Sequence, residues 1–499
     1  MRKDLLAKNT AASLLFQITS IVCGFILPRF FLRHFGSEVN GLVNSIAQFL
    51  GVISFLELGV GAVVQSSLYK PLANRDNYQI SCVVVSANRF FQRIAQILLV
   101  YVVILMFVYP MVSNQNFSFV YTATLIVAIS ISSFAQYYFG IVNSLLLSAD
   151  QRGYIQYNAQ TIALVLNTIV CVIMILSGCS VQLVKLASSL IFLARPLALR
   201  IYVNRRYKID WKILYKKEPI KQKWNGVAQH FAAFVLDGTD TIVLTIFSTL
   251  SNVSIYSVYY LVVSGVKTLL MSITDGFQAI FGELWAKHEL EQLKSLFGWV
   301  EWLVHTGTTY VFACTAALVV PFVQVYTLGV DDANYVQPTF AILLTLANAM
   351  HCLRTPYNIM VLAAGHYKQT QRNYIVAVIL NVLISVLTVK PWGLIGVAIG
   401  TFVALAYQTV WLFVYDSKNL ICWPLKKVVK QFAVDALSAV PIVAIGRIMV
   451  LNDISYLGWL LLAAKVASVA AVIVIAINCI FYMDRIRQLV YNVRMKLQN

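Results

Sequence analysis

Residues 460–481 read LLLAAKVASVAAVIVIAINCIF, an apolar run broken by one charge, Lys465. At 1.5 Å per residue, a helix of this length matches the ~30 Å hydrocarbon core of a bilayer. A membrane barrel strand would instead alternate apolar and polar positions over about ten residues, and this run does not alternate. The same reading holds for Ile97 to Val108, Thr161 to Leu176 and Val311 to Val325. Backbone groups in lipid must be bonded within the segment, so these runs define an all-α polytopic membrane protein. Composition agrees: 60% of the 499 residues are hydrophobic and 12% charged, against roughly a quarter charged in soluble domains.

Hydropathy predicts spans near 10–32, 41–68, 90–112, 117–145, 155–177, 180–203, 225–249, 253–281, 297–328, 335–364, 371–389, 392–415, 431–451 and 456–482. That makes about 14 transmembrane helices, with both termini on the cytoplasmic side. The basic residues support the count. Of the 38 lysines and arginines, all but Arg29, Arg33, Lys185, Lys390, Lys267, Arg354, Arg447 and Lys465 fall on cytoplasmic segments or adjoining span ends, as the positive-inside rule requires. The net charge of +18 is therefore spread along one membrane face, which suits anionic headgroups and carries no nucleic-acid motif.

The richest basic stretch, 204–224, separates two halves that share a weak repeat. Gly59 and Lys70 recur as Gly276 and Lys287, and Asn143, Leu147, Ala149 and Asn158 recur as Asn358, Leu362, Ala364 and Asn373. The expected organisation is a six-helix bundle over 1–203, a basic cytoplasmic linker over 204–224, a second six-helix bundle over 225–415, a cytoplasmic linker over 416–430, and two added helices with a basic tail over 431–499. The apolar run after Met1 is too long for the hydrophobic region of a signal peptide and no small-residue cleavage site follows it, so it is expected to be the first span.

Polar residues mark particular helix faces. Asn9, Ser13, Gln17, Ser20 and Gly24 lie on one side of span one, and His230, Asp237, Thr241 and Thr245 on one side of span seven. For the small residues, helix packing is the alternative explanation. Charges are harder to accommodate, because an ionised side chain at the bilayer centre costs at least about 2.5–3.5 kcal/mol. Asp237 and Asp240 in span seven, Glu57 in span two, Lys267 and Asp275 in span eight and Arg354 in span ten thus require a wet cavity or mutual pairing, such as Lys267 with Asp237 or Asp240. Arg89 and Arg93 at the start of span three either guard a cytoplasmic entrance or anchor the helix. Arg29 and Arg33, with Pro28, stand at the outer end of span one. Arg447 and Lys465 are read as snorkelling to the surface.

Enzyme chemistry finds little footing. His34, His230, His288, His305, His351 and His366 form no HExxH pair, no P-loop occurs, and no outer connection is long enough for a catalytic loop. The eight cysteines show no metal-ligand spacing and read as small apolar residues.

Short phrases nevertheless carry a resemblance: Phe35-Gly36-Ser37-Glu38-Val39-Asn40-Gly41-Leu42, Leu56-Glu57-Leu58-Gly59, Tyr69-Lys70-Pro71-Leu72 and Ala364-Gly365-His366. With them the chain resembles the polysaccharide transport (Wzx-like flippase) family of the multidrug/oligosaccharidyl-lipid/polysaccharide (MOP) exporter superfamily. The resemblance implies two six-helix bundles in a V, as in the related MATE transporters, plus two extra helices. The implied activity is alternating-access translocation of an undecaprenyl-diphosphate-linked oligosaccharide for capsular or other surface polysaccharide. Lys267, Arg354 and Arg29 would meet the diphosphate; Asp237, Asp240, Glu57 and Asp275 would serve coupling or ion pairing, to a proton or sodium gradient. No cofactor or metal is expected. The expected partners are the lipid-linked oligosaccharide, membrane lipids, and a glycan polymerase and glycosyltransferases, around a monomer. A small-molecule antiporter of the same superfamily and a non-transporting scaffold for glycan assembly remain as alternatives.

Overall fold

The computed structural model describes residues 2–113, 117–215, 218–220, 227–274 and 276–498. Among these there is no strand. The helices are α1 (Arg2–Gly51), α2 (Phe55–Asn74), α3 (Asn77–Val112), α4 (Phe119–Ala135), α5 (Ile141–Ala149), α6 (Gly153–Leu176), α7 (Val181–Arg206), α8 (Val227–Phe247), α9 (Leu250–Thr274), α10 (Phe277–Ala286), α11 (Leu290–Tyr326), α12 (Pro338–Leu353), α13 (Thr355–Ala363), α14 (Tyr367–Trp392), α15 (Leu394–Asn419), α16 (Leu425–Ile448), α17 (Tyr456–Phe481) and α18 (Met483–Gln498).

Eleven helices among the described residues are long and apolar enough to cross a membrane. Of the remaining three expected spans, two are interrupted and one is a single helix. Gly36, at φ 80°, divides α1 into two helices, and the second continues through a 3₁₀ turn at Val52–Ser54 into α2. The predicted span at 225–249 appears as α8, and that at 335–364 as α12 and α13 with a joint at Arg354. Polar side chains start several helices: Asp76 accepts from the Gln79 amide at 3.0 Å, and Ser455 from that of Gly458 at 3.0 Å.

The chain divides into two compact units, Met1–Ser254 and Ile255–Asn499. In the first, the Phe35 to Leu42 phrase acts as a packing surface. Asn40 donates to Ser254 Oγ at 2.7 Å, and Tyr109 donates to Ser45 Oγ, which pairs with Thr245 Oγ1. Glycine is required beside them: a Cβ on Gly41 would lie 1.9 Å from the Leu250 carbonyl oxygen. Gly41→Ala is therefore expected to force α1 away from the start of α9 and cost about 1–3 kcal/mol or more. The check is the thermal unfolding midpoint in detergent, which should fall; an unchanged midpoint would mean that this close approach is not needed.

The basic stretch after α7 is strapped to α3 along its described part. Ser81 Oγ accepts from the Asp210 amide at 3.1 Å, Ile213 packs on Cys82 and Val85, and Ser86 hydrogen-bonds Glu218. Beside it, Tyr207 donates to Asp150 at 2.5 Å; burial and that carboxylate push the Tyr207 hydroxyl well above its ordinary range.

By the offset that carries Asn143 onto Asn358, the π-helical turn Gln136–Gly140 corresponds to residues 351–355, around the Arg354 joint.

Candidate functional site

In the second unit, Pro356 fixes the first of two polar constellations. A proline inside a helix removes a backbone donor and crowds the carbonyl four residues earlier. The helix stops at Leu353 and restarts at Thr355 with Pro356 in its first turn, leaving Arg354 at the joint. Arg354 is 7% exposed, and its Nη2 lies 3.0 Å from His351 Nδ1. A guanidinium can only donate, so Nδ1 is the acceptor and the imidazole proton sits on Nε2. Lys267, on α9, reaches the same place: both cations act electrostatically on His351 and Cys352. Its ammonium also stands 5.8 Å from the Tyr260 ring centroid.

Beside this pair is a mostly apolar cavity of about 180 Å³, lined among others by Met271, Thr308, Cys352 and Thr355. Thr355 Oγ1 lies 3.3 Å from the His351 carbonyl oxygen and 3.4 Å from Met271 Sδ. Two of the three cations expected to meet a diphosphate are thus brought together at one broken span, next to a hollow.

The other expected residues are dispersed. Arg29 is half-buried in α1 of the first unit, Arg33 is exposed, and Asp240 is buried on α8. Glu57 on α2 meets the Tyr137 hydroxyl from the π-helical turn. Arg89 and Arg93 are exposed, with Arg89 5.3 Å from the Tyr215 ring of the strapped segment. Asp275 and the side chain of Asp237 lie outside the described residues.

A second constellation was not anticipated from the sequence. On α11, Glu301 accepts a hydrogen bond from Tyr357 at 2.7 Å and from Trp423 Nε1, which is 3.0 Å from each carboxylate oxygen. One turn along, His305 Nδ1 lies 2.6 Å from Asp435 on α16, and Gln431 donates to the other Asp435 oxygen at 3.1 Å. Asp416, near the end of α15, acts electrostatically on Tyr357 and is itself acted on by Glu301. All are buried, and Phe281, Phe297, Leu412, Leu420 and Ile421 belong to the surrounding apolar cluster. Glu301 and His305 at i and i+4 inside an apolar run, and Gln431 and Asp435 likewise, were the available signal. Among the described residues, no three histidine, cysteine or carboxylate side chains are placed to hold a metal ion.

No family model matches the chain, and no curated protein matches it in sequence. Solved structures do match in shape. A lipid II flippase, MurJ, in an inward closed conformation covers 95% of this chain and 100% of its own, with a TM-score of 0.69 at 12% identity. The chain shares the fold of this protein. An inward-facing multidrug-resistance MATE transporter of the MOP superfamily matches with a TM-score of 0.55 at 14% identity, covering 80% of this chain and 94% of its own. The Vibrio cholerae MATE transporter VcmN in its bent form gives 0.56 at 13%, covering 84% and 97%. At these identities the likeness establishes the fold alone, and activity and substrate have to be argued from the chain's own residues.

Proposed function

We propose that this chain translocates a lipid-linked oligosaccharide, carried on undecaprenyl diphosphate, across a bacterial cytoplasmic membrane by alternating access, supplying a capsular or other surface polysaccharide. The observation that carries the reading is the convergence of Lys267 and Arg354 at the Pro356 break, beside a cavity inside the membrane domain. A diphosphate leaving water needs cationic partners, and a guanidinium offers two parallel donors to phosphate oxygens. The apolar cavity wall is suited to a lipid or another uncharged part of the substrate. A fold shared with a lipid II flippase supports this chemistry, and the loop charges support an orientation with both termini on the cytoplasmic side.

The test is a deletion strain. Loss of surface polysaccharide with accumulation of the lipid-linked repeat unit, restored by the gene, is expected. Normal surface polysaccharide together with increased retention of cationic drugs would instead indicate a small-molecule antiporter.

A further inference from the structure

We infer that the constellation formed by Glu301, Tyr357, His305, Asp435 and Asp416 is a proton-binding site, with Asp416 as the residue that carries the proton. It is separate from the Lys267 and Arg354 pair, and the inference holds whatever the transported substrate is.

Charge balance requires a bound positive charge. Glu301, Asp416 and Asp435 share one buried patch with a single imidazole, so full ionisation would leave net negative charge even with His305 protonated. Among the described residues, the cations on the neighbouring elements are exposed or engaged with other groups. On α10 and α11, Glu283 pairs with Lys287 at 2.5 Å and Glu291 with Lys294 at 3.1 Å. On α12 and at the joint, His351 and Arg354 bind each other; α13 carries no charge. Lys418 on α15 is exposed. On α16, Lys426 is exposed, Lys427 stacks on the Trp423 ring at 4.6 Å, and Lys430 donates to the Phe481 carbonyl. Tyr482 and Arg485 approach from the chain's last turns, Arg485 lying 5.4 Å from the Trp299 ring, and Asp484 is exposed. From α14, His366 pairs with Tyr415 at 2.9 Å, and Arg372 is exposed.

Hydrogen bonding singles out Asp416. Glu301 is served by an indole and a phenol, and Asp435 by an imidazole and an amide, all of which suit anions. Asp416 is 0% exposed, and neither of its carboxyl oxygens has a hydrogen-bond partner. An isolated carboxylate in apolar surroundings costs far more than taking up a proton, so the neutral acid is the form that fits. A metal ion does not fit as well: Ca²⁺, for example, takes six to eight oxygen ligands, whereas no metal-holding group occurs among the described residues. The carboxyl also lies close to the end of α15, where its backbone carbonyl accepts from the Leu420 and Ile421 amides at 3.2 Å. Release of its proton would place two carboxylates together where α11, α13 and α15 meet, linking proton occupancy to the packing of these helices.

The experiment is infrared spectroscopy of the full chain in lipid bilayers at neutral pH. A carbonyl band from a protonated carboxylic acid is expected; it should vanish in Asp416→Asn and shift when water is exchanged for heavy water. Isotope-labelled aspartate makes the wild-type protein sufficient if the variant does not fold, because the label must move the band. A spectrum unchanged by Asp416→Asn, a band indifferent to the aspartate label, or one that never shifts in heavy water would each overturn the proposal.

Discussion

Arg354→Ala is expected to reduce translocation of a lipid-linked oligosaccharide by about a hundredfold while leaving folded, monodisperse protein. Each charge-assisted hydrogen bond to a phosphate contributes about 1.5–3 kcal/mol, and every 1.4 kcal/mol is tenfold. A guanidinium that lends two such bonds as the substrate crosses is therefore worth at least about two decades in rate. The substitution also removes the donor to His351 Nδ1, so yield and elution profile must be measured alongside transport to separate lost chemistry from lost structure. Arg354→Lys should recover part of the rate, because it keeps the charge and loses the planar fork. Lys267→Ala should cost less, since an ammonium is a flexible point charge and Lys267 is only half-buried.

Glu301→Leu is expected to be the most damaging single change to stability in the second unit. It strands the Tyr357 hydroxyl and the Trp423 indole N–H, two buried donors that both end on this carboxylate. An unsatisfied buried donor costs about 1–3 kcal/mol, so the pair amounts to several kcal/mol against a total stability of about 5–15 kcal/mol. Glu301→Gln keeps one acceptor oxygen in place and should be tolerated far better. The readout is folded yield in detergent, in the order wild type, Gln, Leu; equal yields for Gln and Leu would show that the two donors do not depend on residue 301.

Much of this architecture was legible in the sequence, because hydrophobic run length and the sidedness of lysine and arginine are imposed directly by the bilayer. Three spans were less regular than hydropathy suggested, and the reasons are local: a 3₁₀ turn at Val52–Ser54 interrupts the second span, the span after Ser118 contains a π-helical turn, and Pro356 interrupts the span that holds Arg354. The basic stretch after α7 reads as a linker in the sequence, and its described part is bound to α3 through Ser81, Cys82 and Val85, contacts that no one-dimensional pattern reveals.

The site divides in the same way. Lys267 and Arg354 stood out as charges within apolar runs, and the fold brings them to one histidine. Glu301, His305 and Asp435 were equally visible as ionisable residues in long apolar helices, but their partners lie 56 to 130 positions away in the chain. Asp416 was assigned to a loop because a charge and polar residues follow the apolar run, whereas α15 continues to Asn419 and buries it.

The most direct test places the purified chain in vesicles loaded with a polyprenyl-diphosphate sugar bearing a fluorescent label, and follows the label's arrival on the opposite leaflet. Wild-type protein is expected to accelerate that arrival well above protein-free vesicles, and Arg354→Ala to return it close to the protein-free rate. Arrival no faster than in protein-free vesicles, or equal rates for wild type and Arg354→Ala, would contradict the account.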